Sequence, residues 1–262
     1  MTTNQQCQAV LFDLDGVLTP TALVHERAWS QLFERAFAHF GVERPYTTDD
    51  YLRFVDGRPR YAGVAAVLAS RGVTLDEGAP TDAPGFSTVC ALGNLKNELF
   101  TEVLARDGVE AYPGSRALLD ALQRRGTSVA VVSSSRNARR VLEAAGLLQR
   151  FSVIVDGAYA AERGLAGKPA PDTYLEAARR LQVDPRHAVV VEDALSGVAS
   201  GRAGGFGLVV GVDRGAGAAA LREHGADVVV TDLAELIETD DELPTSAESS
   251  AEQSETGERK HA

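Results

Sequence analysis

The chain has 262 residues, a formal net charge of −11, 24% charged and 44% hydrophobic residues, the balance of an ordinary soluble protein with room for one large domain or two smaller ones. No apolar run approaches the roughly 18 residues a membrane span needs, no basic stripe marks nucleic-acid binding, and Cys7 and Cys90 lack metal-ligand spacing. The start, Met1 to Gln6, shows no basic region followed by an apolar stretch, so no signal peptide is expected, and the setting expected is reduced and cytoplasmic.

In chain order, Ala9 to Phe12 is a buried-strand run, followed at once by Asp13-Leu14-Asp15-Gly16-Val17. Residues at i and i+2 of an extended segment point to one side, so both carboxylates can face a single centre. Two acids that close repel unless they share a proton or flank a divalent cation, although Asp and Gly are also ordinary turn residues after a strand. Residues 21–108 hold helical patterns at Val24 to Phe40, Tyr61 to Ser70 and Leu92 to Ala105, with a Gly-, Pro- and Asp-rich loop at Asp76 to Gly85 and no convincing strand. From 109 to 239, β-branched runs alternate with helical patterns. The runs are Ser128 to Val132, Phe151 to Val155, Ala188 to Val191, Phe206 to Val210 and Asp227 to Val230. The helical patterns are Arg116 to Arg125, Asn137 to Ala145, Pro171 to Leu181 and Gly197 to Ala203. This alternation predicts an α/β fold: a Rossmann-like parallel sheet core (1–20 and 109–239) with an inserted all-helical cap domain (21–108). Residues 240–262 carry seven acids against Arg259 and Lys260 and predict a disordered acidic tail.

Ligands of an open parallel sheet bind outside the carboxyl ends of its strands, so the residues at the end of each run carry the most information. The first run ends in Asp13 and Asp15, the second in Ser133-Ser134-Ser135-Arg136-Asn137, and Ala188 to Val191 in Glu192-Asp193. Phe151 to Val155 leads, after a short loop, to Gly167-Lys168-Pro169. Two acidic pairs, a hydroxyl cluster and a lysine thus gather at one rim. Oxygen-only ligands favour magnesium, serine hydroxyls with amides at a helix start cradle a phosphate, and a lysine adds charge beside it. The set points to phosphoryl transfer with an aspartate nucleophile.

With those motifs in order, the chain resembles the haloacid dehalogenase-like phosphotransferases, in their β-phosphoglucomutase-like branch, over about residues 9–239. The resemblance implies Asp13 as nucleophile and Asp15 as general acid-base. It implies Mg2+ held by Asp13, the backbone carbonyl of Asp15 and Asp193, with Glu192 as a ligand or as a partner of one. Ser133, the amide of Ser134 and Lys168 would hold the transferring phosphate.

The cap adds what the resemblance implies for a second, idle phosphate. Gly57-Arg58-Pro59-Arg60 matches the family's cap loop and places Arg60 on that phosphate, with Ser135, Arg136 and Asn137 on it from the core. Lys96 and His25 match cap positions that face the sugar or the acid-base aspartate, and Thr21 falls at the first hinge. Each has a plainer alternative: Arg60 as a solvated arginine, Lys96 on a solvated helix face beside Asn97 and Glu98, His25 as a helix-packing histidine. Trp29 and Phe33, four apart, read as cap core. The chain departs from the family in Pro20 at the hinge, in Asp56 before the cap-loop glycine, and in a long segment from Asp76 to Ala91.

The expected activity is therefore interconversion of β-D-glucose 1-phosphate and glucose 6-phosphate through β-D-glucose 1,6-bisphosphate. The alternative is a magnesium-dependent phosphatase of sugar phosphates or related small molecules. The expected partner is a small sugar phosphate, with no nucleic acid and no membrane, and the expected state is a monomer.

Overall fold

The computed structural model describes residues 7–55 and 60–237. The expected tail at 240–262 and the cap-loop residues Asp56, Gly57, Arg58 and Pro59 lie outside the described residues. The chain divides into two compact units, one taking in residues through Pro20 and from Glu110 onward, the other Thr21–Val109.

The chain enters the first unit as strand β1 (Ala9–Phe12) and leaves it for the second, which is built from α1 (Thr21–Phe40), α2 (Thr48–Phe54), α3 (Arg60–Ala69) and α4 (Val89–Asp107). Helix α1 presents Val24, Ala28, Trp29, Leu32, Phe33, Ala36 and Phe37 as a buried stripe at helical spacing. The Trp29 and Phe33 rings stack with centroids 5.6 Å apart, inside the core of this unit as expected. Helix α2 was not expected. Its signal is a capping box in which Thr47 and Asp50 satisfy each other's backbone amides, written with Asp where Glu or Gln is usual.

Back in the first unit come α5 (Pro113–Arg125), β2 (Ser128–Val132), α6 (Ala138–Ala144), β3 (Val153–Val155), α7 (Gly157–Arg163), α8 (Asp172–Leu181), β4 (Ala188–Glu192), α9 (Leu195–Ala203), β5 (Leu208–Val212), α10 (Ala218–Glu223) and β6 (Val228–Val230). Every strand pairing is parallel, and the sheet order is β3-β2-β1-β4-β5-β6. Strand β1, first in sequence, thus lies inside the sheet between β2 and β4. Alternate residues Ala9, Leu11, Ala130, Val132, Val153, Val155, Ala188 and Val190 pack with Tyr174, Ala177 and Ala178 of α8 on one face. Val10, Phe12, Val131, Ile154, Val189 and Val191, which alternate with them, are buried as well. Strands buried on both faces explain why the runs are apolar throughout rather than alternating.

Three expectations shift. The run Phe206 to Val210 becomes a strand at Leu208–Val212, because the Gly207 amide is taken by the carbonyls of Pro185 and Ala188 and Phe206 turns its ring edge-on to Tyr174, 6.1 Å away. The run from Phe151 starts its strand only at Val153, since Phe151 follows a 3-10 turn and meets Phe12 edge-on at 6.4 Å. The short loop before Gly167 contains α7, capped by Asp156 and stopped by Gly164 in the left-handed conformation.

Candidate active site

Strand order reverses its direction of growth at β1 and β4, and that is where such sheets open a crevice at their carboxyl ends. Register pairs Phe12 with Val191, so the next residues, Asp13 and Glu192, come side by side. Lys168 lies between them: its ammonium donates to Asp13 Oδ1 at 2.5 Å, to Glu192 Oε1 at 2.6 Å and to the Val132 carbonyl at 3.1 Å. All three side chains are buried. The Tyr174 hydroxyl donates to Glu192 Oε1 at 3.3 Å and the Ala194 amide to Glu192 Oε2 at 2.9 Å, so protein donors engage both oxygens of Glu192.

Asp13, Glu192 and Asp193 bring carboxylate oxygens within 4.8 Å of one another. Close approach is permitted by glycine at two points. A Cβ at Gly16, whose φ is +84°, would overlap the Asp193 carboxylate, and one at Gly197 would overlap that of Glu192. Burial pushes the Asp13 carboxyl well above the usual range against the pull of Lys168, with the charges of Glu192, Asp15 and Asp193 adding to the rise. Burial, then the Glu192 charge, pushes Asp193 up to about 7. Burial opposes the charge on Lys168, but Asp13 and Glu192 hold its ammonium well above the usual range. Against four carboxylates, with the half-buried Asp15 among them, one lysine leaves excess negative charge. An oxygen-only donor set with that excess fits a hard divalent cation such as magnesium.

The serine run departs in detail from a plain amide cradle. Ser133 is buried, and its Oγ accepts from the Ser135 amide at 3.1 Å; the Ser135 Oγ accepts from the Asn137 amide at 3.1 Å. The amides of Ser135 and Asn137 are thus engaged by hydroxyls of the same run. Ser134 and Arg136 are exposed, while Asn137 is buried at the start of α6.

In the helical unit, Lys96 is 4% exposed, which removes the solvated-face alternative. Its ammonium lies 5.1 Å from the Trp29 ring centre and 5.0 Å from that of Phe100. It approaches His25 Nδ1 at 2.6 Å. Because an ammonium only donates, Nδ1 accepts and the imidazole proton resides on Nε2. His25 stacks on Phe100 at 4.3 Å. Burial, then the charges of Lys96 and Arg60, hold its pKa well below the ordinary value. Arg60, partly exposed at the start of α3, donates from Nη2 to Asn97 Oδ1 at 3.1 Å. Thr21 is buried at the start of α1. Gly57 and Arg58 lie outside the described residues.

Two contacts had no signal in the spacing. Tyr174 was an apolar position of an amphipathic helix, and its hydroxyl on Glu192 depends on how α8 lies on the sheet. Arg214, after β5, donates to the Gly16 carbonyl at 2.9 Å and lies over the Tyr112 ring at 4.0 Å.

A model of haloacid dehalogenase-like hydrolases matches residues 7–205. The chain belongs to that family. It is a phosphoryl-transfer enzyme of the isomerase or hydrolase kind. It is 48% identical over 243 residues, 89% of this chain and 92% of the relative, to a β-phosphoglucomutase of Mycobacterium bovis. It is also 31% identical over 205 residues, 78% of this chain and 82% of the relative, to hexitol phosphatase A of Escherichia coli. Among solved structures, that of a putative β-phosphoglucomutase from Thermotoga maritima matches with a TM-score of 0.68 and 27% identity, covering 87% of this chain and 95% of that one. Among the described residues no helix is long and apolar enough to cross a membrane.

Proposed function

We propose that the chain is a β-phosphoglucomutase, converting β-D-glucose 1-phosphate and glucose 6-phosphate into each other. The observation that carries this reading is the near-full-length similarity to the mycobacterial β-phosphoglucomutase, joined to an Asp13 carboxylate that a buried lysine steers from one oxygen.

In this reading Asp13, carried as an aspartyl phosphate, delivers its phosphoryl group to the 6-hydroxyl of β-D-glucose 1-phosphate while Asp15 takes the hydroxyl proton. The product, β-D-glucose 1,6-bisphosphate, reorients. Asp13 then attacks the phosphorus at position 1, Asp15 returns the proton to the departing oxygen, and glucose 6-phosphate leaves with Asp13 phosphorylated again. Asp13, Asp193 and the Asp15 carbonyl would hold Mg2+, which when bound neutralises charge on the transferring phosphoryl group. Lys168 and Ser133 share that task, with the Ser134 amide. Arg60 grips the idle phosphate, as do Ser135, Arg136 and Asn137, while His25 and Lys96 serve the sugar or Asp15 and Thr21 the hinge. The mycobacterial relative's name fits the mutase. The hexitol phosphatase similarity favours a second reading on the same residues, in which water replaces the sugar hydroxyl as acceptor.

One assay separates them. With β-D-glucose 1-phosphate, Mg2+ and a trace of β-D-glucose 1,6-bisphosphate, glucose 6-phosphate should form with little free phosphate. Rapid phosphate release without glucose 6-phosphate would overturn the mutase and leave the phosphatase. Asp13→Asn should abolish either activity.

A further inference from the structure

Helices α3 and α4 meet at Gly93, where a Cβ would overlap the Tyr61 ring and crowd the Arg60 side chain. The first two residues of α3 each bond to α4. Arg60 reaches Asn97, and the Tyr61 hydroxyl donates to Asn94 Oδ1 at 3.0 Å. Asn94 and Asn97 are three apart and share one face of their helix. The Asn94 amide nitrogen points elsewhere, donating to the carbonyls of Pro80 at 3.2 Å and Asp82 at 2.9 Å. Two carbonyls on one side and a hydroxyl on the other allow this amide only one orientation.

The segment that supplies those carbonyls belongs to the long stretch in which this chain departs from compact family members. It is closed on itself. Thr88 Oγ1 and the Ala79 amide donate to the Asp82 carboxylate at 2.6 Å and 3.1 Å. The amides of Val89 and Cys90 reach the carbonyls of Asp76 and Glu77 at 2.9 Å and 3.0 Å. Gly78 turns at φ +73°, where a Cβ would collide with Asp82 and Thr88.

We propose that residues 76–88 act through Asn94 and Tyr61 as a positioning element that fixes the direction of Arg60, and so sharpen selection for substrates that bring an idle phosphate besides the transferring one. The inference rests on Arg60 gripping that phosphate. An arginine side chain has large rotamer freedom, and ordering it in advance lowers the cost of binding. Asn97 holds the guanidinium, while Tyr61, seated flush on Gly93, holds the backbone from which it springs. Asn94 links both to the segment. Tyr61 and Asn94 are positioning residues; neither touches the reacting atoms.

The test uses the full chain with Tyr61→Phe and Asn94→Asp, each alone and with Arg60→Ala. Tyr61→Phe removes only the hydroxyl. Asn94→Asp keeps an acceptor for Tyr61 and loses both donors to the segment. Each is expected to raise KM for β-D-glucose 1-phosphate about fivefold, the worth of one hydrogen bond. Neither should change kcat or the hydrolysis of p-nitrophenyl phosphate, whose only phosphate is the reacting one and leaves none idle for Arg60. On an Arg60→Ala background neither should add anything. Equal losses on both substrates, a full fivefold on top of Arg60→Ala, or no change in KM would overturn the proposal. Should Arg60→Ala itself fail to separate the two substrates, the phosphate role of Arg60 falls and this inference with it. A normal Arg60→Ala result beside silent Tyr61 and Asn94 variants sinks the inference alone.

Discussion

Lys168 sets the charge balance of the core site. It is buried with Asp13 and Glu192 as its acceptors, and removing one partner of a buried ionic cluster leaves uncompensated charge. Lys168→Met is therefore expected to cost about 3–5 kcal/mol of stability near neutral pH, read by urea unfolding of metal-free protein, and to end turnover. A variant as stable as the parent would show that the carboxylates do not depend on the lysine. Asp13, Asp15, Glu192 and Asp193 were legible because acids at the ends of apolar runs have few structural uses, and Lys168, beyond the loop after β3, through its place in the ordered set of motifs. Tyr174 and Asn97 were not. A single hydrogen bond between one helix and another element leaves no periodic trace in either.

At the scale of elements, α1 and α4 are joined through His25 and Lys96. The folded unit holds the His25 pKa well below its ordinary value, whereas the unfolded chain binds a proton at about pH 6.5. Stability is thus fully present above that pH and is lost as pH falls below it toward the folded value. The loss amounts to at most about 1.4 kcal/mol per pH unit. His25→Gln should flatten this window, so that urea midpoints near pH 7.5 and 5.5 differ less in the variant than in the parent. An unchanged difference would remove His25 as the cause. Helices with long apolar stripes, such as α1, were legible from period alone. Of the short ones, α6 was read from the sequence, whereas α2, α7 and α10 were missed, because six or seven residues show a period only weakly. Their caps were the only local signal, and α10 has no side-chain cap.

At the scale of the whole molecule, negative charge converges on the sheet's carboxyl edge, where Asp13, Glu192 and Asp193 gather. A ligand that binds only the folded state raises its stability by mass action. Mg2+ added to chelator-treated protein should raise the unfolding temperature, and Asp193→Asn should lose most of that rise; an equal rise in both would place the binding elsewhere. The sequence by itself determined the parallel α/β core, the helical stretch after the first strand, the acids and serines at the strand ends, and the lysine beyond the loop after β3. Strand burial, turn chemistry and helix period are local properties of a few consecutive residues. Only the tertiary structure decided that Glu192 stands beside Asp13 with Lys168 between them, that Lys96 turns inward to His25, and that residues 76–88 reach Tyr61 through Asn94. Those facts depend on strand register and on which helix faces meet, and packing between residues far apart in the chain sets both.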